Sequence, residues 1–468
     1  MYPAGMNNAA ASVPASPTSS DEALPVRIKL GWSIGALGAG LLVNGIAALA
    51  FFYMVGILRM EPAIAGGVIF IAKIVDVITD PIMGVISDRH KSPQGRRRPF
   101  LPLGAILSAL SFLAIFTVPD FANPWATASY MLAALILYTV GYTIYNIPFM
   151  AMPSEMTDSY HERSSIHGYR LVFASLATFI AASIGPTILD RMGKGEWSSY
   201  ATIGVGGSVI ILVAMMASYF ATADARFTDR GSTAAASAVK DFRTVLSNRH
   251  FRTLMGVKLC QLIGIQVTQA AFLFFILQRL KLGFDILLVL GAVSMAASFI
   301  ATPMVLKIAR RYGKKAGYYL AGAAQVANAI SWSFAEAGEP MLALAARSTL
   351  TGIAFSGNVV IAMSMLTDII NHDGRVTGVR KEGAYTAFYS FVEKLTAAIG
   401  PLVIGSALSL AGFNNKLPPD VDQGPQVATA LLFSVSWLPA TMAFIAMLIL
   451  STYRLTEAEI RGEEALGK

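Results

Sequence analysis

Apolar runs recur along nearly the whole chain, each broken by a short stretch of charge, Gly or Pro. They mark spans at 31–58, 62–87, 100–119, 127–152, 168–190 and 200–221, and then at 252–278, 284–307, 316–335, 341–370, 384–411 and 426–452. A helix needs about 20 apolar residues to cross a bilayer, so the pattern predicts an all-α integral membrane protein of twelve transmembrane helices. The longest internal polar stretch divides six spans from six. The expected organisation is a tail at 1–26, a six-helix bundle at 27–221, a linker at 222–250, a second bundle at 251–453 and a tail at 454–468. Residues 1–24 are rich in Ala, Ser, Pro and Asn and hold no basic residue before Arg27. They lack the basic and apolar regions of a signal peptide and read as a disordered cytoplasmic tail.

A weak internal repeat accompanies this division. Gly84-Val-Ile-Ser-Asp88-Arg89 with Arg96 and Arg97 follows the second span, and Lys307-Ile-Ala-Arg310-Arg311 with Lys314 and Lys315 follows the eighth. Met156-Thr157-Asp158 with Arg163 is echoed by Leu366-Thr367-Asp368 with Arg375 after the tenth. Parallel six-helix halves with a substrate site at their interface are a recurrent transporter design.

Composition agrees with membrane residence. The chain is 55% hydrophobic and 14% charged, with a mean hydropathy of +0.58, against about 25% charged in soluble domains. A net charge of +8 would also suit nucleic acid, but the basic residues cluster in short connections between apolar runs. Connections on one side hold only Arg59, Arg191, Lys194, Arg279, Lys281 and Lys416, and the other side holds the large majority. By the positive-inside rule both termini are cytoplasmic, in what is expected to be a bacterial inner membrane. The single cysteine, Cys260, excludes an intramolecular disulfide and a cysteine metal site. No GxxxxGK[ST] or HExxH occurs, so ATP-driven chemistry, zinc chemistry and a bound cofactor have no support.

The costliest residues lie in the second span. Lys73, Asp76 and Asp80 are spaced i, i+3, i+7 and share one helix face. Charges at membrane depth face a bundle interior or a water-filled cavity. Two carboxylates with the Thr79 and Thr143 hydroxyls make a hard oxygen site for Na⁺ or H⁺; the competing reading is a structural ion pair. In the fourth span Tyr138, Tyr142, Tyr145 and Phe149 recur at helical spacing beside Asn146 and Pro148. Aromatic faces with amide and hydroxyl groups suit a sugar ring, though such a stripe also packs helices. Glu393 and Lys394 point about 100° apart, so both are not expected in one cavity, and Lys394 is placed to pair across the halves with Asp76 or Asp80. Lys258, Gln261, Gln266, Gln269, Gln325, Asn328 and Asn358 serve either the cavity or helix–helix bonding. Arg347 is expected to snorkel to the outer interface. Asp88, Arg96, Arg97, Glu155, Asp158 and Arg163 read as a cytoplasmic charge cluster holding one gate state, or as solvated topogenic charge.

At the second span the pattern becomes specific. Lys73-x-x-Asp76-x-x-Thr79-Asp80-Pro81-x-x-Gly84-x-x-x-Asp88, followed by Gly95-Arg96-Arg97-Arg98-Pro99, resembles the signature of the glycoside–pentoside–hexuronide:cation symporters of the major facilitator superfamily. Tyr142-Thr143-x-x-Asn146-Ile147-Pro148-Phe149, Ser364-Met365-Leu366-Thr367-Asp368 and Lys394 extend the similarity, which covers essentially residues 27 to 455. The resemblance implies the major facilitator fold, with Asp76, Asp80 and Thr143 around a coupling cation and Thr79 beside them. It further implies Lys394 near that site and Arg170 near a substrate-binding arginine. Two acidic positions of the family depart here: that of the fourth helix stands as Asn146, and the sugar-binding aspartate of the first falls at or near Gly40. Galactoside binding of that kind is thereby disfavoured, while coupling through Asp76 and Asp80 is retained.

The expected function is cation-coupled symport, by Na⁺ or H⁺, of a sugar or glycoside through alternating access, with Tyr142, Tyr145 and Asn146 shaping the substrate site. The expected partners are that small molecule and the lipid bilayer, with no nucleic acid and no obligate protein partner. The nearest alternative is the same fold carrying a lysolipid or other small amphiphile; from another class, a membrane enzyme or a non-transporting sensor.

Overall fold

The computed structural model describes residues 24–90, 92–157, 159–193, 196–225, 244–379, 381–455 and 459. Most of both tails, residues 226–243 of the linker, Lys194 and the gate residue Asp158 lie outside the described residues. Among the described residues the chain is helical, without strands, and runs through twelve rods. In the first half these are α1 (Val26–Ile57), α2 (Pro62–Arg89), α3 (Phe100–Phe116), α4 (Pro124–Ala151), α5 (Tyr160–Phe179, carried on through Ile180–Ile184 and Gly185–Met192) and α6 (Trp197–Ala221). The second half holds α7 (Arg249–Leu280), α8 (Ile286–Tyr312), α9 (Lys314–Ser331), α10 (Met341–Thr377), α11 (Glu382–Leu410) and α12 (Pro425–Ser451). Ten are long and apolar enough to cross a membrane; α3 and α9 are shorter or more polar. Apolar side chains such as Phe299, 67% exposed, stand where water would be costly and lipid is not. This is a multi-pass membrane protein.

Helix starts follow local chemistry. The side chains of Asn123, Ser159, Asn248 and Asp285 accept hydrogen bonds from backbone N–H groups of the turns they precede, and Pro62, Pro124 and Pro425 stand in first turns, where their missing N–H costs nothing. Several helices outrun their apolar spans: α1 starts at Val26, α5 at Tyr160, and α10 ends at Thr377. Apolarity reports burial in lipid, whereas the backbone stays helical through polar turns beyond it.

The two halves repeat the same packing. α1 lies against α5 and α6, α3 against α4 and α6, and α2 against α4. Six helices later, α7 lies against α11 and α12, α9 against α10 and α12, and α8 against α10. Small residues allow the close approaches. A Cβ at Gly104 would lie 2.6 Å from the Tyr145 nitrogen, and one at Gly357 would lie 2.4 Å from the Ala321 Cβ. In lipid, close packing of this kind is what holds helices together.

Between the halves, α2 meets α11, α1 meets α7 and α5 meets α8. These seams lie toward the end opposite the Arg96–Arg98 connection, which we term the basic end. Phe51 and Phe52 pack on Phe274, Phe52 on Phe284, and Phe274 on Phe413, with ring centroids 4.7 to 6.1 Å apart. The Ala63 N–H donates to Ser409 Oγ at 3.0 Å, and a Cβ at Gly66 or Gly405 would come within 2.5 Å of the Pro401 or Pro62 carbonyl oxygen. One apolar core therefore joins both halves there, whereas at the basic end the second half has a separate cluster of its own around Phe251, Tyr318 and Tyr385. At the basic end the apolar packing of the second half is thus its own, distinct from the core that joins the halves at the other end.

Gly66→Leu and Gly405→Leu are expected to disfavour this conformation by forcing α2 off α11. In a Cys260→Ser background, a cysteine at Ala63 should then react faster with an impermeant maleimide. Unchanged labelling would show that this contact does not close the seam.

Candidate functional site

α2 carries the site near its centre. At 1.5 Å per residue, Asp76 lies about 20 Å from either end of the helix. Its carboxyl is buried, 2% exposed, between α2 and α4. Thr143 of α4 donates from Oγ1 to Asp80 Oδ1 at 2.8 Å and approaches Asp76 Oδ1 at 3.4 Å. Thr79 Oγ1 bonds the Asp76 carbonyl at 3.2 Å and lies 3.5 Å from Thr143 Oγ1. From the second half, Lys394 of α11 places its ammonium 3.1 Å from Asp76 Oδ1 and in contact with Asp80 Oδ2. Lys73 completes the group, 3.6 Å from Asp76 Oδ2 and 3.3 Å from the Tyr138 hydroxyl, over whose ring it lies at 5.1 Å.

Two carboxylates and two ammonium groups thus balance one another. An added monovalent cation restores neutrality only by taking the place of one ammonium. Lys394 is the one positioned for this exchange, because it alone comes from the other half and touches both carboxylates. Oxygens of Asp76, Asp80, Thr143 and Thr79 then remain as hard donors, the type that Na⁺ or a shared proton requires.

Other expected residues fall differently. Tyr142 and Asn146 are half-buried on α4, and Arg170 on α5 is an electrostatic neighbour of Tyr142, its Nη1 3.4 Å from Met150 Sδ. Tyr145 does not join them. It is fully buried, stacked on Phe149, with its hydroxyl donating to the Met215 carbonyl at 3.4 Å, because this face of α4 packs on α1 and α6. At Gly40 a Cβ would come 2.7 Å from the Ala177 Cβ, so α1 and α5 close on each other and leave no room for a side chain. Gln261, Gln325 and Asn358 bond one another and Tyr318 at 2.7 to 3.1 Å, binding α7, α9 and α10 rather than lining a cleft. Arg347 does not snorkel: it forks onto Glu339 and lies 4.9 Å over Trp332. Tyr138 as the partner of Lys73 was not singled out from the sequence; its place one turn before Tyr142 on α4 is the signal for it.

The charge cluster at the basic end works within the first half. Arg96 reaches Glu155 at 3.0 Å, while Arg97 reaches Glu155 at 3.3 Å, Asp88 at 3.0 Å and the Ala151 carbonyl. These contacts tie the end of α2 and its following connection to the end of α4. Lys314 on Asp368 ties α9 to α10 in the second half. Arg163 lies near the start of α5. Arg96 and Arg97 on Glu155, Arg97 on Asp88 and Lys314 on Asp368 each brace helices within a single half.

Glu155 is 4% exposed. Glu155→Gln should leave two guanidinium groups underpaired and cost roughly 3 kcal/mol, the scale for breaking a buried ion pair. A melting curve in detergent checks this, and a shift below one degree would mean that the brace is dispensable.

Known proteins of this shape are transporters. A bacterial homologue of the human lysosomal transporter Spinster superposes with a TM-score of 0.66 at 14% identity, over 93% of this chain and 100% of that one. In sequence, an uncharacterized symporter of Synechocystis is 25% identical, over 94% of this chain and 96% of its own length. The isoprimeverose transporter of Lactiplantibacillus pentosus is 23% identical, over 93% and 90%. A family model described as MFS/sugar transport protein matches residues 31–457. That match spans all twelve helices but for the first turn of α1, and the chain accordingly belongs to this sugar transport family of the major facilitator fold.

Proposed function

We propose that the protein is a secondary active transporter that couples inward movement of Na⁺ or H⁺ to symport of a sugar or glycoside by alternating access. The observation that carries this reading is the placing of Lys394 of one half between Asp76 and Asp80 of the other. An arriving cation exchanges with that ammonium, so occupancy of the site and the strength of the α2–α11 seam are linked. The positive-inside rule sets the basic end and both termini in the cytoplasm, and the membrane is a bacterial inner membrane. In that orientation the seam closed by Phe274 and by the Ala63–Ser409 contact lies on the outer side, which fits a conformation open to the cytoplasm. Tyr142, Asn146 and Arg170 flank the cation site from α4 and α5 and offer hydroxyl, amide and guanidinium groups to a polar substrate. This chemistry favours a sugar over an amphiphile.

Asp76→Asn and Asp80→Asn should each abolish accumulation driven by an imposed gradient in inverted and right-side-out vesicles. Na⁺ and pH gradients imposed separately identify the ion. Intact accumulation in both variants would remove the cation site from these residues.

Lys394→Gln should have the opposite effect on equilibrium binding. With its internal competitor gone, the carboxylate pair should bind the coupling cation about tenfold more tightly, a change of roughly 1.4 kcal/mol, while gradient-driven accumulation falls. The cation concentration, or pH, at half-maximal thermal stabilisation measures it; a midpoint unchanged or weakened would contradict the exchange.

A further inference from the structure

The cation site uses one flank of α11. Glu393, the residue beside Lys394, stands about 100° around the helix and is exposed, in line with the exposed Thr386 and Ser390. This stripe is polar, whereas the opposite flank carries Phe388, Phe391 and Leu395. A helix that meets α2 on one side and α7 on another has two free flanks, and the polar one belongs to the cleft between the halves rather than to lipid.

Across from Glu393 is Lys258 of α7. Lys258 is 4% exposed, with its ammonium 5.1 Å from the centroid of the Tyr389 ring. The two charges are electrostatic neighbours, yet among the described residues neither is held by an ion pair or a side-chain hydrogen bond. A buried ammonium and a cleft carboxylate left apart in this way are costly as structure alone. Tyr389, over whose ring the ammonium lies, stands one turn before Glu393 on α11, and Lys394 beside Glu393 reaches Asp76 and Asp80, so this donor and acceptor occupy one stretch of α11 at the depth of the carboxylate pair.

We propose that Lys258 and Glu393 bind adjacent hydroxyl groups of a neutral polyhydroxylated substrate from the second half. The Glu393 carboxylate accepts from one hydroxyl, and the Lys258 ammonium donates to its neighbour. The pair has no net charge, so it selects a diol rather than an anion or a cation. It also complements the first half, where Arg170 and Tyr142 are donors and close packing at Gly40 leaves no space for an acid. The inference rests on the sugar-transport reading. It adds that substrate and cation act on one turn of α11, through residues 393 and 394.

The test uses the full chain, purified in detergent, with a panel of nitrophenyl glycosides and their monodeoxy analogues. Glu393→Gln preserves shape and should weaken binding of the tightest glycoside about tenfold or more, the scale of a hydrogen bond to a charged group, while cation-induced thermal stabilisation stays unchanged. The deoxy analogue lacking one hydroxyl of the recognised pair should lose as much against the unaltered protein, yet lose little further against Glu393→Gln. Binding within about twofold in the variant, or the same deoxy penalty in both proteins, would overturn the assignment and leave the sugar-transport reading standing. If no glycoside of the panel binds the unaltered protein, the sugar reading fails and this inference fails with it.

Discussion

The contact of Lys394 with Asp76 and Asp80 is the constraint around which the helices are arranged. Three charged groups at mid-depth are costly unless each meets its opposite, and here the opposites belong to different halves. A buried ion pair is weak evidence of stability, because desolvation cancels most of the attraction. Its value lies in being exchangeable. An apolar contact at this position would hold the seam equally well in all conditions, whereas an ammonium between two carboxylates can be replaced by another cation of the same charge.

The remaining contacts brace each half internally and leave the seams between them as the places that differ. Within each half, glycine-mediated approaches and the basic-end braces on Glu155 and Asp368 fix helix to helix. Between the halves, the aromatic group around Phe274 closes one end, and the pairs described at the other end act within single bundles. Two rigid bodies joined near one end and linked at mid-depth by charge suit rocking better than internal deformation.

Much of this is legible in the sequence, and the parts that are not share a cause. Helical period alone puts Lys73, Asp76 and Asp80 on one face, and the cost of charge in lipid predicts that this face is interior. The partner of those charges is harder, since it depends on the relative depth of α2 and α11, which no local pattern encodes. Tyr142 and Tyr145 show the limit clearly. They are three residues apart on a helix that is apolar on most sides, so only the packing of α1 and α6 decides that Tyr145 is fully buried and Tyr142 half-buried. The place of Arg347 is hidden for a related reason: its partner Glu339 lies in the preceding connection, where a carboxylate looks solvated until the chain folds back.

The pseudo-symmetry has a final consequence. The α2–α11 seam has a counterpart in α8–α5, and Asp80-Pro81 in α2 finds its analogue in Thr302-Pro303 of α8, both prolines lying inside their helices. One turn earlier, Asp76 corresponds to Ser298. At mid-depth, therefore, the α2–α11 seam carries an ionic contact where the equivalent position of the α5–α8 seam carries a serine, and α5 meets α8 around the turn at Ile180–Ile184, where Ser183 lies against Gly291. Under the proposed exchange a cation would act off the axis of this pseudo-symmetry, changing the adhesion of the α2–α11 edge while the α5–α8 edge keeps its contacts.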